Sequence, residues 1–244
     1  MKIKTTSAWK IGNRLLLVLA SLMLLGSCED KNCIKGEGPV ETRLLNLDSF
    51  SRIEANGDFN VFITQGPTQK VEVRGEPNIL DQLQTDITNS TWKITHDNCV
   101  RRSKEVEVFI TLPVYESLYL NGSGYIQGQQ HITASDLDIA VNGSGKISLD
   151  VDASKIISRV TGSGKVHLQG SAPVHRINMS GSGRAETYGL ASENVSVTLS
   201  GSGVAQVSAA TLLDVSISGS GIVYYKGEPT VNQEISGSGK VVKQ

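Results

Sequence analysis

The triplet Gly-Ser-Gly begins at Gly122, Gly143, Gly162, Gly181, Gly201, Gly219 and Gly237, and it is the first feature of this 244-residue chain that could do chemistry. Glycine-rich loops cradle phosphates with backbone N–H groups, but they do so between a strand and a helix N-terminus. Here apolar, mostly β-branched residues flank both sides of each triplet, and one site would not need seven copies. The serines could act as nucleophiles, yet none sits in a Gly-x-Ser-x-Gly elbow ahead of a helix. Asp136, Asp138, Asp150 and Asp152 come nearest to an acidic catalytic cluster or an oxygen-ligand Ca²⁺ site. They alternate with apolar or small residues, as solvated loop acids do. His96, His131, His167 and His175 never pair at a spacing of three or four, and no C-x-x-C occurs, so neither a metal nor a cofactor is expected.

The triplets make sense as architecture. Their steps are 21, 19, 19, 20, 18 and 18 residues, a period that no linker has reason to keep. Two residues before each triplet stands an apolar side chain (Leu120, Val141, Val160, Met179, Leu199, Ile217, Ile235), and two residues after it stands another (Ile126, Ile147, Val166, Ala185, Ala205, Val223, Val241). This period-2 alternation marks half-buried strands. Parity carried through the triplet places both glycines inward and the serine outward. The expected corners are therefore Gly122 and Gly124, Gly143 and Gly145, Gly162 and Gly164, Gly181 and Gly183, Gly201 and Gly203, Gly219 and Gly221, and Gly237 and Gly239. Coils of about 20 residues that cannot bury an apolar face alone must stack. The expected fold is all-β, a right-handed parallel β-helix (β-solenoid) with an irregular N-terminal capping region.

The ends set the context. Lys2, Lys4, Lys10 and Arg14 precede the apolar run 15–25, which suits a secretory leader and is short for a membrane span. Leu25-Gly26-Ser27-Cys28 follows and resembles the lipobox of bacterial lipoproteins, in which the cysteine becomes the lipidated N-terminus. The division expected is a lipoprotein signal peptide over 1–27, a lipidated tether over 28–43, irregular N-terminal coils over 44–117 and regular repeat coils over 118–244. Cys33 and Cys99 remain, and an oxidising compartment allows them one disulfide. A net charge of −1 gives no basis for non-specific nucleic-acid binding.

Between residues 43 and 66 the order Arg43, Leu45, Phe50, Ile53, then Phe59–Gly66 (FNVFITQG), leads on to V-E-V, N-I-L-D and the tandem triplets. It resembles the auto-transporter adhesin head GIN domain family of Bacteroidetes envelope lipoproteins, over roughly 44–240. The resemblance implies a β-helix at the outer membrane, facing the cell surface or the periplasm. The expected function is a non-catalytic adhesion or scaffold protein held to the membrane by lipid. An alternative is a carbohydrate- or anion-binding module. It would use Lys146, Lys165 and Arg184, stacked just after successive triplets, and a file of small polar groups (Asn121, Asn142, Thr161, Ser180, Ser200, Ser218, Ser236) that also suits hydrogen bonding between coils. A polysaccharide-acting enzyme is the third reading. Expected partners are the membrane, surface glycans or envelope proteins, and a second copy across an open C-terminal coil.

Overall fold

Inward glycines and alternating β-branched residues leave the repeat one way to bury its apolar stripe, with each coil lying on the last. In the computed structural model, which describes residues 33–244, the coils do so in parallel, as a β-solenoid of about seven turns of about 19 residues. The expected leader, the expected lipidation site Cys28 and the tether as far as residue 32 lie outside the described residues. Cys33 and Cys99, offered by the sequence as one disulfide, are both disulfide-bonded.

Each coil contributes one strand before its corner and one after it. The leading file runs through Ser117–Gly122, Ile132–Gly143, Lys146–Gly162, Val174–Gly181, Asn194–Gly201, Leu212–Gly219 and Thr230–Gly237. The register never slips at the corner: Gly122, Gly143, Gly162, Gly181, Gly201, Gly219 and Gly237 lie opposite one another in turn. The trailing file shows one irregularity, where the 20-residue step inserts a residue and Gln169 comes to face Gly189. Inside the coils Leu120, Val141, Leu199 and Ile217 are buried, as are Ile126, Ile147, Val166 and Val223.

The two glycines of a triplet do different jobs, which corrects the expectation that both face inward. The second is buried from Gly124 to Gly221 and half-buried at Gly239, and at Gly145, Gly164, Gly183, Gly221 and Gly239 a Cβ would first meet a core side chain; at Gly164 it would lie 2.4 Å from Val141 Cγ1. The first is half-buried or exposed and has a positive φ, between 98° at Gly162 and 143° at Gly122. Its Cβ would point along the stack into the carbonyl oxygen of the glycine one coil below, at 2.6 Å for Gly181 against Gly162. That carbonyl accepts a hydrogen bond from the serine N–H of the next coil, as in Ser182 N to Gly162 O at 2.9 Å. The corner is itself a rung of the ladder, and only glycine permits the approach.

The N-terminal region holds one regular coil inside an irregular cap. Arg52–Gly57 and Asn60–Gln65 stack under Ser117–Gly122 and Tyr125–Gly128, with Gly57 opposite Gly122. The chain then leaves the stack and returns beneath it. Thr91–Ile94 and Glu107–Leu112 pair in parallel below this coil, Lys70–Gly75 runs antiparallel to Glu107–Leu112, and one helical turn (Pro77–Leu80) completes the excursion. Trp92, Phe59, Ile79 and Tyr115 are buried there, closing that end of the core.

Candidate functional site

With the coil interior filled by apolar side chains, the candidate site residues lie on the outward faces. Lys146, Lys165 and Arg184 do lie in register on the trailing file. The charge of Lys165 is met by Glu186 at 2.8 Å, a pairing that holds the Glu186 carboxyl below the usual range, and His167 lies 3.7 Å from the same carboxylate. The file is thus a partly neutralised strip.

The four aspartates do not converge. Asp136 lies 3.9 Å from Lys155, and Asp138 pairs with Arg159 while accepting a hydrogen bond from the Tyr119 hydroxyl at 2.9 Å. Asp150 and Asp152 instead clasp His131, at 2.8 and 3.1 Å, with Gln169 donating to Asp150 and Ser171 to Asp152. The hydrogen bond to Asp150, then the charge of Asp152, raises the His131 pKa above the ordinary imidazole value. Both aspartates are lowered, Asp150 chiefly by His131 and Asp152 chiefly by Ser171. A raised histidine stabilises fully below its unfolded value and less as pH rises through the folded one, whereas the depressed aspartates lose their contribution as pH falls through theirs. We expect His131 to titrate above free histidine in an NMR pH series, and to return toward the free value in Asp150→Asn.

The polar file before the serines is bonded between coils only in part. Asn121 Nδ2 donates to Asn56 Oδ1 at 2.8 Å, and Asn142 Nδ2 to Asn121 Oδ1 at 2.7 Å, forming an amide ladder over three coils. Among the described residues, the serines farther along the file make no such side-chain bonds to one another, contrary to the expectation. Their backbones carry the stacking instead.

A further outward feature lies on the leading file near the cap, and of the residues singled out in the sequence only Asp136 and Asp138 line it. It is a groove of about 820 Å³. Register builds its floor: Thr91, Arg52, Ser117 and Asp138 form one row across four strands, and Lys93, Glu54 and Tyr119 form the next. Arg52 bonds Glu116 at 2.8 Å, Lys93 lies 3.8 Å from Glu54, and burial followed by the bond to Asp138 raises the Tyr119 pKa. The Ile87–Thr88 to Thr91–Ile94 hairpin supplies a rim with Asn89 at its turn. A signal was available in the match of Asn56-Gly57 to the later corners, which puts Arg52 and Glu54 beside Ser117 and Tyr119. The third strand, Thr91–Ile94, arrives from the cap excursion, which has no repeat to betray it.

Several outward charges are thus tied off in pairs, Lys165 with Glu186, Arg159 with Asp138 and Arg52 with Glu116, on a stack of hydrogen-bonded coils. No group of three or more His, Cys, Asp or Glu among the described residues is arranged to hold a metal ion. The chain belongs to the "putative auto-transporter adhesin, head GIN domain" family, whose pattern matches residues 49–229. It is similar to a putative adhesin from Bacteroides fragilis NCTC 9343, at 25% identity and a TM-score of 0.82, covering 86% of this chain and 100% of that one. A putative adhesin from Parabacteroides merdae ATCC 43184 shares the fold at 22% identity and a TM-score of 0.73, covering 86% and 98%. A putative lipid binding protein from Parabacteroides distasonis ATCC 8503 does so at 21% and 0.73, covering 87% and 100%. No curated protein matches the chain.

Proposed function

We propose that this protein is a non-catalytic adhesion module of the bacterial outer membrane, anchored by lipid on Cys28 and displaying the solenoid at the cell surface. The observation that carries the reading is the corner ladder: every coil is locked to the next by backbone hydrogen bonds, so the outward faces form a rigid display surface. Family membership and structural relatives described as adhesins support it. The lipobox-like Leu25–Cys28 supports the anchor, since one acyl chain gives marginal membrane attachment and two give stable attachment. Metabolic labelling with a palmitate analogue is expected to mark the wild type and not Cys28→Ala; label persisting in the variant would remove the anchor.

The in-register Lys146, Lys165 and Arg184 favour a second reading, an anion site, and the Lys165–Glu186 pair weighs against it. Lys146→Glu combined with Lys165→Glu is expected to leave binding of a heparin oligosaccharide within about two-fold, the scale of exposed, screened charges. A loss of ten-fold or more would restore the site. For association between copies, the last strands offer an edge, Thr230–Gly237 and Lys240–Lys243, with Ile235 38% exposed. Sedimentation should show concentration-dependent dimers that Ile235→Lys abolishes; a monomer at all concentrations would count against them.

A further inference from the structure

We propose that the groove over Arg52, Glu54, Tyr119 and Asp138 is a binding site for a neutral oligosaccharide, an inference that rests on the adhesion reading and names its ligand class. Its volume of about 820 Å³ lies in the range of small-ligand clefts, roughly 300–1,000 Å³.

The chemistry of the lining selects the ligand. Glu54, Glu116, Asp136 and Asp138 are matched by Arg52 and Lys93 in the lining and by Lys155 and Arg159 beside it, so the groove has no surplus of positive charge to hold a polyanion. Each of these carboxylates already has a cationic partner: Lys93 for Glu54, Arg52 for Glu116, Lys155 for Asp136 and Arg159 for Asp138. A metal ion or free cation would have to break those pairs. What remains is an array of pre-oriented oxygens and N–H groups, including a planar guanidinium and carboxylates with free lone pairs. Such groups suit the adjacent hydroxyls of a sugar. Tyr119 stands in the middle of the floor with its hydroxyl held by Asp138, and its in-register neighbour Ala140 is small. A half-buried aromatic ring beside polar groups can take the apolar C–H face of a pyranose.

A peptide fits poorly. The floor strand Arg52–Gly57 is paired on both edges, so no backbone edge is open for strand addition. The apolar side chains of the lining are Val114 and the rings of Tyr115 and Tyr119, and both tyrosine hydroxyls are spent, Tyr115 on Thr64 O and Ile110 O and Tyr119 on Asp138.

The rim carries a second, independent observation. Asn89 and Ser90 have φ of 50° and 56°, the only non-glycine residues with positive φ among those described. Two-residue hairpin turns of this kind favour glycine at the second position, and a serine there costs about 1 kcal/mol. Ser90 O accepts from Ser51 N and Arg52 N, both at 3.1 Å, which pins the rim to the floor strand. Strain held in place at the lip of a groove fits a binding site kept preformed.

The test uses the full-length chain. A glycan array carrying neutral, sialylated and sulfated oligosaccharides is followed by calorimetric titration of the best neutral probe. Binding to a neutral oligosaccharide is expected, weakened at least about ten-fold by Tyr119→Ala, and kept within about three-fold by Tyr119→Phe. Ser135→Trp, at the exposed rim, should block the groove without touching the core, which covers the case of a misfolded Tyr119→Ala. The proposal is overturned if no neutral oligosaccharide binds, or if binding survives both Ser135→Trp and a natively folded Tyr119→Ala. Beads coated with the protein and settled on a mucin layer separate the two claims. Adhesion that survives Tyr119→Ala and Ser135→Trp sinks the groove and leaves the adhesion module standing, whereas glycan binding without any bead adhesion sinks the adhesion module and leaves the groove.

Discussion

Gly181→Ala is expected to destabilise the solenoid by about 4 kcal/mol, at the upper end of what single substitutions do. Alanine would have to hold φ near 110°, which L-residues avoid, and its Cβ would lie 2.6 Å from Gly162 O. The obstacle is backbone in a neighbouring coil, so relief means pulling coils apart and losing the Ser182 N to Gly162 O rung. Gly164→Ala meets a different obstacle, Val141 Cγ1 at 2.4 Å. Trimming that side chain in Gly164→Ala/Val141→Ala should recover part of the loss, while no side-chain truncation should rescue Gly181→Ala. The exposed Ser182→Ala should shift stability by no more than about 0.5 kcal/mol. Urea unfolding of the set checks this account; a mild Gly181→Ala would mean that the first glycine is not held by the stack.

The second large effect is loss of stability in acid. His175 is buried inside the coil, its Nε2 3.0 Å from the buried Ser158 Oγ, and burial lowers its pKa to about 3. The unfolded chain takes up a proton near pH 6.5 that the folded chain refuses until about pH 3. Between those values the unfolded state binds more protons, so stability falls by about 1.4 kcal/mol per pH unit as pH drops. Ser158→Ile/His175→Ile installs what adjacent coils carry, Ile139 or Ile177 opposite the first position and Ile156 or Val195 opposite the second. The double variant should lose this slope while keeping that of the paired carboxylates. Equal pH profiles for the two proteins, measured by thermal or urea unfolding, would show that His175 is protonated without cost.

Both effects trace to how much the repeat reveals. Stacking register was legible because each coil places an apolar residue two positions either side of its triplet, so the chain has one way to lay Val141 over Leu120 and under Val160. The His175–Ser158 pair was not picked out from the sequence, where it shows only as two polar residues at positions that are Ile or Val in the adjacent coils. The separate duties of the two glycines were hidden, because parity reports which way a Cβ would point only while the backbone stays extended, and φ at the first glycine departs from that. The cap was expected from the irregular N-terminal stretch, but its pairing was hidden because Lys70–Gly75 and Glu107–Leu112 pair across the sequence without any repeat, and the groove inherits its far wall from that excursion.

Adhesion requires that these outward faces meet the medium, and labelling of intact cells with a membrane-impermeant amine reagent tests that most directly. The exposed Lys146 and Lys240 should be modified without lysis, and Cys28→Ala should release the labelled protein from the cell. Lysines that react only after the outer membrane is permeabilised would place the solenoid in the periplasm and contradict a role in adhesion.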